Sequence, residues 1–290
     1  MLIQPASQKV TDSLKSRIDI ARSKVWAKHH KESLEKKGLG NTYREEICQH
    51  CNATLILTDM PFSPQLYCHF CDSLSTLDGE PAMTKAEKHL RVCEECGMFA
   101  KPQKFTIFYF YFLLVVYGFW QKATWRCPAC MRGEAWKMFF GNLPFVIGVP
   151  VAITQLFRAY GGSVLGGQFK GLDTGNIRAR KGDVKGALKQ YQSILERVPH
   201  SAGVKYNLGV ALLMEGDRQR AADTFELALE DCSNYAPAYH QLRELYSQLG
   251  EKEKLAELER IWSSGDEEDE DSAPPQERHR NLEDVEFNFD

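Results

Sequence analysis

Eight of the nine cysteines in this chain form four Cys-x-x-Cys pairs between residues 48 and 130. Two intervening residues let both thiolates of a tight turn point at one ion, so each pair supplies half of a tetrahedral site. Four pairs therefore predict two structural metal sites that hold two zinc ions, although iron also accepts four thiolates. The predicted ligands are Cys48, Cys51, Cys68, Cys71, Cys93, Cys96, Cys127 and Cys130.

Disulfide bonding is the rival use of so many cysteines. Secreted disulfide-rich domains rarely space every cysteine as a Cys-x-x-Cys pair. Residues 1–7 also lack the basic start and the apolar core of a secretory signal. We therefore expect reduced cysteines in a cytoplasmic protein, either free or attached to a membrane. The ninth cysteine, Cys232, stands alone and is assigned no role.

The segment around the first two pairs resembles a zinc ribbon. Residues 54–58 form a short β-type run between the pairs, and Pro61 and Pro64 mark a turn. In the second half, Gly97 and Pro128 resemble the residues of ribbon and rubredoxin-type knuckles, whose backbone N–H groups face the sulfurs. Each half has its own β-type insert, which favours sequential pairing of the cysteine pairs, and a cross-braced arrangement is the alternative.

The apolar run Phe105–Trp120 separates the third pair from the fourth. As a helix it would extend about 24 Å, which is shorter than the bilayer core. Thirteen of its sixteen residues are aromatic or β-branched, and these residues favour strands. A membrane crossing would also put the third and fourth pairs on opposite sides of the bilayer. We therefore predict ribbon strands, with a bend or bulge near Gly118.

A second apolar run, Met138–Phe157, has twenty residues without a charge. This length suffices to span a membrane, but two glycines and two prolines interrupt the run. Membrane contact, either spanning or interfacial, and burial against the rest of the protein are both open for this segment.

The chain repeats with a period of thirty-four residues in its last third. Gly175 aligns with Gly209, and Gly182 aligns with Gly216 and then Gly250. A period of this length is typical of a solenoid built from helix pairs.

These residues resemble the tetratricopeptide repeat family over about residues 168–262. Asn207-Leu208-Gly209 resembles the first-helix signature of that family, and Gly216-Asp217 resembles the turn between its helices. Further matches are Ala221, Phe225 and Ala228 in the second helix and the terminating Pro199. The first copy has a short first helix, and Leu255 and Glu259 in the third copy imply a capping repeat.

The resemblance implies a protein or peptide partner, because such repeats form a groove lined by their first helices. Matched residue by residue, the groove positions are Gly203, Tyr206, Val210, Leu213, His240, Glu244 and Ser247. The alternative is that Tyr206 and Leu213 only pack against a neighbouring helix. The Lys/Asn/Arg set that binds the carboxylate tail of a chaperone is missing, which argues against that partner.

Charge is distributed unevenly along the chain. Residues 1–47 carry ten Lys/Arg and six Asp/Glu, whereas residues 264–290 carry eleven Asp/Glu and two Arg. The first stretch predicts a basic helix that docks by a thin apolar stripe including Ile18 and Val25, or one that lies on a membrane or RNA. The last stretch has the composition of a disordered tail.

Together these patterns predict a multidomain fold with mainly α structure and small β elements. Two four-cysteine zinc-ribbon-like modules precede a short α-helical tetratricopeptide solenoid. The predicted segments are a basic helix (1–43), a first zinc-ribbon-like module (44–75), a second one with an apolar β insert (76–137), an apolar helical segment that is a candidate membrane anchor (138–160), a glycine-rich flexible linker (161–171), the repeats (172–262) and the acidic tail (263–290).

The function that these features favour is a non-enzymatic scaffold for protein–protein interaction. One alternative is a nucleic-acid-binding zinc ribbon, but residues 48–160 hold ten basic and eight acidic groups and no basic cluster. Another is a thiol redox or chaperone factor that uses Cys127 and Cys130. The sequence has no phosphate-binding glycine loop and no His-Glu-x-x-His motif, so we expect no enzymatic activity.

Overall fold

The computed structural model describes residues 6–77, 89–113, 116–145, 148–161 and 165–263. It is mostly helical, with small antiparallel sheets. In chain order its elements are α1 (Ala6–Lys36), β1 (Glu45–Ile47), β2 (Thr54–Ile56), β3 (Gln65–Cys68), β4 (Ser73–Thr76), β5 (Arg91–Val92), β6 (Phe99–Ala100), β7 (Gln103–Leu113), β8 (Val116–Arg126), α2 (Pro128–Asn142), α3 (Val149–Gly161), α4 (Leu172–Arg180), α5 (Val184–Leu195), α6 (Ala202–Glu215), α7 (Arg218–Asp231), α8 (Ala236–Leu249) and α9 (Lys252–Ser263).

The chain divides into two compact units. Among the described residues, the first unit comprises 6–77 and 229–263, and the second comprises those between 89 and 228. The acidic tail predicted for residues 263–290 lies, beyond Ser263, outside the described residues.

The first unit is built on two short hairpins, β1–β2 and β3–β4. Helix α1 docks beside β2, where the Thr54 N–H donates to Ser23 Oγ at 3.0 Å. Ile20 packs on the core of the hairpins, and Ala27 is also buried. The predicted docking stripe was wrong at Ile18 and Val25, which are exposed. A serine that can accept a backbone hydrogen bond suits this face better than a larger apolar side chain.

The second unit contains the long hairpin β7–β8. The strands predicted for Phe105–Trp120 are present, and they belong to a regular pairing that runs from Gln103 opposite Arg126 to Leu113 opposite Val116. Gly118 lies in this register opposite Tyr111, so the predicted bend or bulge is wrong. The Tyr111 ring occupies the space that a side chain at position 118 would need, which explains the glycine.

Helices α2 and α3 divide the apolar run Met138–Phe157 between them, with a 3₁₀ turn at Leu143–Phe145. Pro144 follows the end of the first helix by two residues, as expected because proline has no N–H with which to continue a helix. Within the described ranges, no helix combines the length and the apolar content needed to cross a bilayer. Met138 and Ala152 instead join a core with Phe105 and Ile107 of the hairpin.

The segment predicted as a flexible linker, 161–171, is packed where the structure describes it. Residues 162–164 lie outside the described residues. Leu165 and Phe169 have exposed fractions of 1% and 6%, and Phe169 makes an edge-to-face contact with Phe99. The burial of these two apolar side chains holds the segment in place, although its glycines suggest a flexible linker.

Candidate metal centres and the helix pairs beside them

The first four-cysteine cluster lies between the turns of the β1–β2 and β3–β4 hairpins. Cys48 Sγ is 3.7 Å from Cys71 Sγ, and Cys51 Sγ is 3.6 Å from Cys68 Sγ. All four sulfurs lie within 4.8 Å of one another. Four sulfurs placed 2.3 Å from a central ion in a tetrahedron would be about 3.8 Å apart. The spacing therefore fits a zinc ion.

The second cluster joins the β5–β6 turn to the beginning of α2. Cys93 Sγ is 3.8 Å from Cys130 Sγ, and Cys96 Sγ is 3.8 Å from Cys127 Sγ. These four sulfurs also lie within 4.8 Å of one another. The sulfurs thus group sequentially, in the order that the sequence favoured over a cross-brace.

The fourth pair departs from the predicted ribbon. Cys127 is the N-cap of α2 and Pro128 occupies its first turn, so this pair lies on a helix start rather than on a β turn. Proline fits the first turn because its φ is already helical and its missing N–H is not needed there. The positive end of the helix dipole faces the thiolates and stabilises their negative charge.

Polar groups around both clusters suit a negatively charged thiolate set. The His50 N–H donates to Cys48 Sγ at 3.4 Å, and the Cys127 N–H donates to Cys93 Sγ at 3.2 Å. Ser73 Oγ lies 3.0 Å from Cys71 Sγ in the first cluster. In the second cluster the Arg180 guanidinium donates to Cys130 Sγ.

The thiols within a cluster also perturb one another. Hydrogen bonds with its three neighbours lower the pKa of the Cys48 thiol. Hydrogen bonds with Cys48 and Cys51 raise the pKa of the Cys68 thiol. Four thiolates this close need a cation before all of them can ionise, and a divalent ion would supply that charge.

A buried asparagine connects the β5–β6 hairpin to the helix pairs. The Phe99 N–H donates to Asn207 Oδ1 at 2.8 Å, and Asn207 Nδ2 donates to the Phe99 carbonyl at 2.7 Å. Asn176 Nδ2 donates to the same carbonyl at 3.0 Å. The Phe99 ring occupies the space that a side chain at Gly203 would need. Helices α4 and α6 thus hold the strand that follows Cys96.

The first unit repeats this arrangement with other residues. The Tyr67 N–H donates to Asn234 Oδ1 at 2.9 Å, and Asn234 Nδ2 donates to the Tyr67 carbonyl at 2.8 Å. The Tyr67 and Tyr235 rings make an edge-to-face contact at 5.2 Å. We call Asn207 and Asn234 the asparagine clamps. The side-chain amide of each accepts from the backbone N–H, and donates to the backbone carbonyl, of one strand residue.

A third asparagine, Asn142, holds the hairpin β7–β8 to helix α2. The Phe110 N–H donates to its Oδ1 at 3.0 Å, and its Nδ2 donates to the Phe108 carbonyl at 2.8 Å. Sequence reasoning missed all three asparagines. Only Asn207 carried a signal, as part of Asn207-Leu208-Gly209, and that signal pointed to repeat packing.

The predicted groove residues differ in their accessibility. Tyr206 has an exposed fraction of 3% and packs against Phe225, and Val210 is buried as well. Leu213 is half-buried. In α8, His240 is half-buried and Glu244 is exposed. Because α6 is largely covered within its own unit, the structure favours the packing alternative for Tyr206, and α8 carries the accessible positions.

In the first two helix pairs, a glycine of the first helix lies against an aromatic ring of the second helix at equivalent positions of the thirty-four-residue period. A side chain at Gly175 would lie 2.6 Å from the Tyr191 ring, and one at Gly209 would lie 2.6 Å from the Phe225 ring. Glycine is therefore needed where each aromatic ring crosses the first helix of its pair. The turn glycines at 182, 216 and 250 have φ of +77°, +86° and +75°, which favours glycine at each turn.

Comparison with known families supports the same repeat. Residues 172–237 match the model of the tetratricopeptide repeat family. Residues 172–237 are thus identified as tetratricopeptide repeats. No curated protein matches the chain. The period of thirty-four residues continues beyond the matched residues into α8 and α9, where the pair that corresponds to Gly209 and Phe225 is Arg243 and Glu259. Arg243 Nε donates to Glu259 Oε1 at 2.9 Å on the surface, as suits a polar capping repeat.

Solved structures of MamA resemble part of the chain. A mutant form of MamA is 19% identical, with a TM-score of 0.31 over 45% of this chain and 69% of that chain. MamA AMB-1 is 17% identical, with a TM-score of 0.29 over 50% of this chain and 75% of that chain. These scores are too low to show a shared overall arrangement.

Proposed function

We propose that this protein is a non-enzymatic cytoplasmic scaffold, attached to a membrane, that binds a protein partner and holds structural zinc in both four-cysteine clusters. The observation that carries the proposal is that the strand beside each cluster is bound by an asparagine clamp of the helical segment. Tetratricopeptide repeats generally bind protein partners. The zinc sites would then stabilise modules on which the repeats depend.

The clusters support a structural rather than a catalytic role for the metal. Four sulfurs fill a tetrahedral shell and leave no position for water or substrate. Cys48, Cys93 and Cys127 have exposed fractions of 1% or less, so these thiols are poorly placed for exchange with another protein. This argues against the alternative of a redox factor.

Metal analysis of the purified chain tests this part of the proposal. We expect two zinc ions per chain and no thiol pair that reacts rapidly with a disulfide reagent. A chain that folds without metal and exposes a fast-reacting Cys127/Cys130 pair would instead support the redox alternative. Two bound iron ions would preserve the structural role and change only the metal.

The partner site is tested at α8, where Glu244 is exposed. A photoreactive residue at position 244 should crosslink one defined protein in cells. The matched control is the same residue at Glu215, which is exposed at the end of α6 and lies outside the predicted groove. Equal crosslinking from both positions, or none from 244, would contradict a partner site on α8.

A further inference from the structure

The exposed apolar side chains concentrate in one part of the second unit. Among the described residues, eleven of the seventeen exposed large apolar side chains lie between positions 111 and 160. Tyr117 and Phe119 belong to the outer part of β8, and Phe140 and Phe157 belong to α2 and α3. Single exposed apolar residues are ordinary, whereas exposed apolar residues that form one contiguous patch mark an interaction surface.

Helix α3 buries small and polar side chains and exposes large apolar ones, which is the opposite of the usual amphipathic pattern. Its buried residues are Ala152, Gln155 and Ala159. Its exposed side includes Ile153 and Phe157, and Phe157 has an exposed fraction of 75%. A helix that only packed against the protein would bury its largest apolar side chains. The outer side of α3 is therefore built to meet an apolar environment.

Aromatic contacts join the exposed sides of the helices and the hairpin. Trp136 Nε1 donates to Tyr160 Oη at 3.1 Å and so links α2 to α3. Trp136 stacks on Phe140 at 5.6 Å along α2. In the hairpin, Trp120 stacks on Tyr109 at 6.3 Å, and the Tyr109 ring lies where a side chain at Gly141 would be. We call this connected area the aromatic surface.

The charged residues of this region are almost all basic. Residues 97–172 contain eight Lys/Arg and a single acidic residue, Glu134. That carboxylate is already engaged, since Arg126 Nη1 lies 3.6 Å away and Tyr109 Oη donates to it at 3.4 Å. Lys122, Lys137 and Arg158 are exposed beside the aromatic residues. The surface therefore complements a negatively charged, partly apolar partner.

We propose that the aromatic surface binds the interface of a membrane that contains anionic lipids. Trp and Tyr side chains favour the headgroup level, and Lys and Arg are attracted to anionic headgroups. The outer backbone edges of a two-stranded hairpin cannot enter hydrocarbon, so insertion stops at the interface. This inference deepens the membrane attachment of the proposed function and rests on it.

Vesicle binding by the purified full-length protein tests the inference. We expect binding to phosphatidylcholine vesicles that contain phosphatidylserine, weaker binding to phosphatidylcholine alone, and a loss of binding as salt is raised. F140S/F157S should weaken binding at least tenfold, roughly the factor for removing one or two buried aromatic side chains. K137E/R158E should also weaken binding at least about 25-fold, because each basic residue contributes about fivefold.

Two controls separate this surface from general effects. Phe62→Ser removes an exposed aromatic residue of the first unit, and Lys185→Glu reverses an exposed charge on α5; both should bind as the unchanged protein does. Circular dichroism should be the same for all variants, because the changed side chains are exposed. The tryptophan emission should shift to the blue on binding, and F140S/F157S should need at least tenfold more lipid for the same shift.

Three outcomes would overturn the inference. They are no binding to anionic vesicles, binding that F140S/F157S leaves unchanged, and a dimer of the protein that F157S dissociates, which would make a second copy the occupant. Lipid binding and crosslinking from position 244 are measured separately, so failure of the membrane surface leaves the partner site on α8 testable, and the reverse also holds.

Discussion

The two four-cysteine clusters have the same ligands but join different structures. The first cluster connects the turns of two short β-hairpins, and a serine hydroxyl lies beside its sulfurs. The second connects one β turn to the start of a helix, and an arginine from α4 contacts one of its sulfurs. The same four-cysteine set can thus join two short hairpins or fix the beginning of a helix.

Removal of a ligand from the second cluster should have the largest effect. Cys127 is both a predicted ligand and the N-cap of α2, so Cys127→Ser should abolish metal binding there and unfold the hairpins and α2. Structural zinc sites contribute on the order of 10 kcal/mol to the folding of small domains. Metal content and hydrogen exchange measured by mass spectrometry check this prediction.

The matched variant in the first unit is Cys48→Ser. It should lose one metal ion and leave the hydrogen exchange of α2 and α3 unchanged, because each cluster lies within its own unit. Loss of both ions from either variant would contradict independent sites.

The asparagine clamps should differ in strength. Asn207 is fully buried, and Asn207→Ala leaves the Phe99 N–H and carbonyl without their strongest partner, at a cost of about 2–4 kcal/mol. Asn234 is half-buried, so water can replace part of its contacts and Asn234→Ala should cost about 1–2 kcal/mol. Amide exchange at Phe99 and Tyr67 measures the two effects, and equal losses of protection would contradict the ranking.

The arginine beside the second cluster should affect metal retention more than folding. Arg180→Gln removes a positive charge from Cys130 Sγ, so protons should displace the metal more easily and release should occur at a higher pH. We expect about tenfold weaker zinc binding, as for other outer contacts of metal ligands. Ser73→Ala in the first cluster removes only a neutral hydroxyl, and a chelator competition should find a smaller change. A larger change in the serine variant would reverse the comparison.

Glycine substitutions should give the smallest effects. Gly203→Ala places a methyl group against the Phe99 ring and should destabilise the second unit by about 1–2 kcal/mol. Gly133→Ala is the control on α2, since nothing lies within 4 Å of the added methyl group, and it should stabilise the protein by about 0.5–1 kcal/mol. Urea unfolding followed by circular dichroism distinguishes the two signs, and destabilisation by Gly133→Ala would contradict this account.

Local patterns predicted much of this fold. The cysteine spacing grouped the ligands, the aromatic and β-branched composition of Phe105–Trp120 predicted strands, and the period of thirty-four residues predicted the helix pairs. Each of these patterns depends on residues that are close together in the chain, so it can be recognised without knowledge of the tertiary structure. Zinc as the bound metal stays a prediction.

The missed features depend on residues far apart in the chain. Asn207 acts on Phe99 and Asn234 acts on Tyr67, and no short pattern marks an asparagine that binds a distant strand. The burial of Val210 was missed for the same reason, and for Tyr206 the sequence left packing and a groove position open, because the packing that covers α6 is a tertiary property. The packing of the segment 161–171 was missed because its glycines suggested flexibility. Among the described residues of the segment, only the apolar Leu165 and Phe169 are buried, and two such residues give no recognisable pattern.

The clamp at Asn207 has a consequence for the order of synthesis. Asn207 follows Phe99 by 108 residues. At a translation rate of about 5–20 residues per second, the strand at Phe99 leaves the ribosome about 5–20 s before its amide partner leaves it. During that interval its N–H is available to other extended chains. We therefore expect nascent chains that stop before α6 to need a chaperone, and chains that include α6 to be released from it.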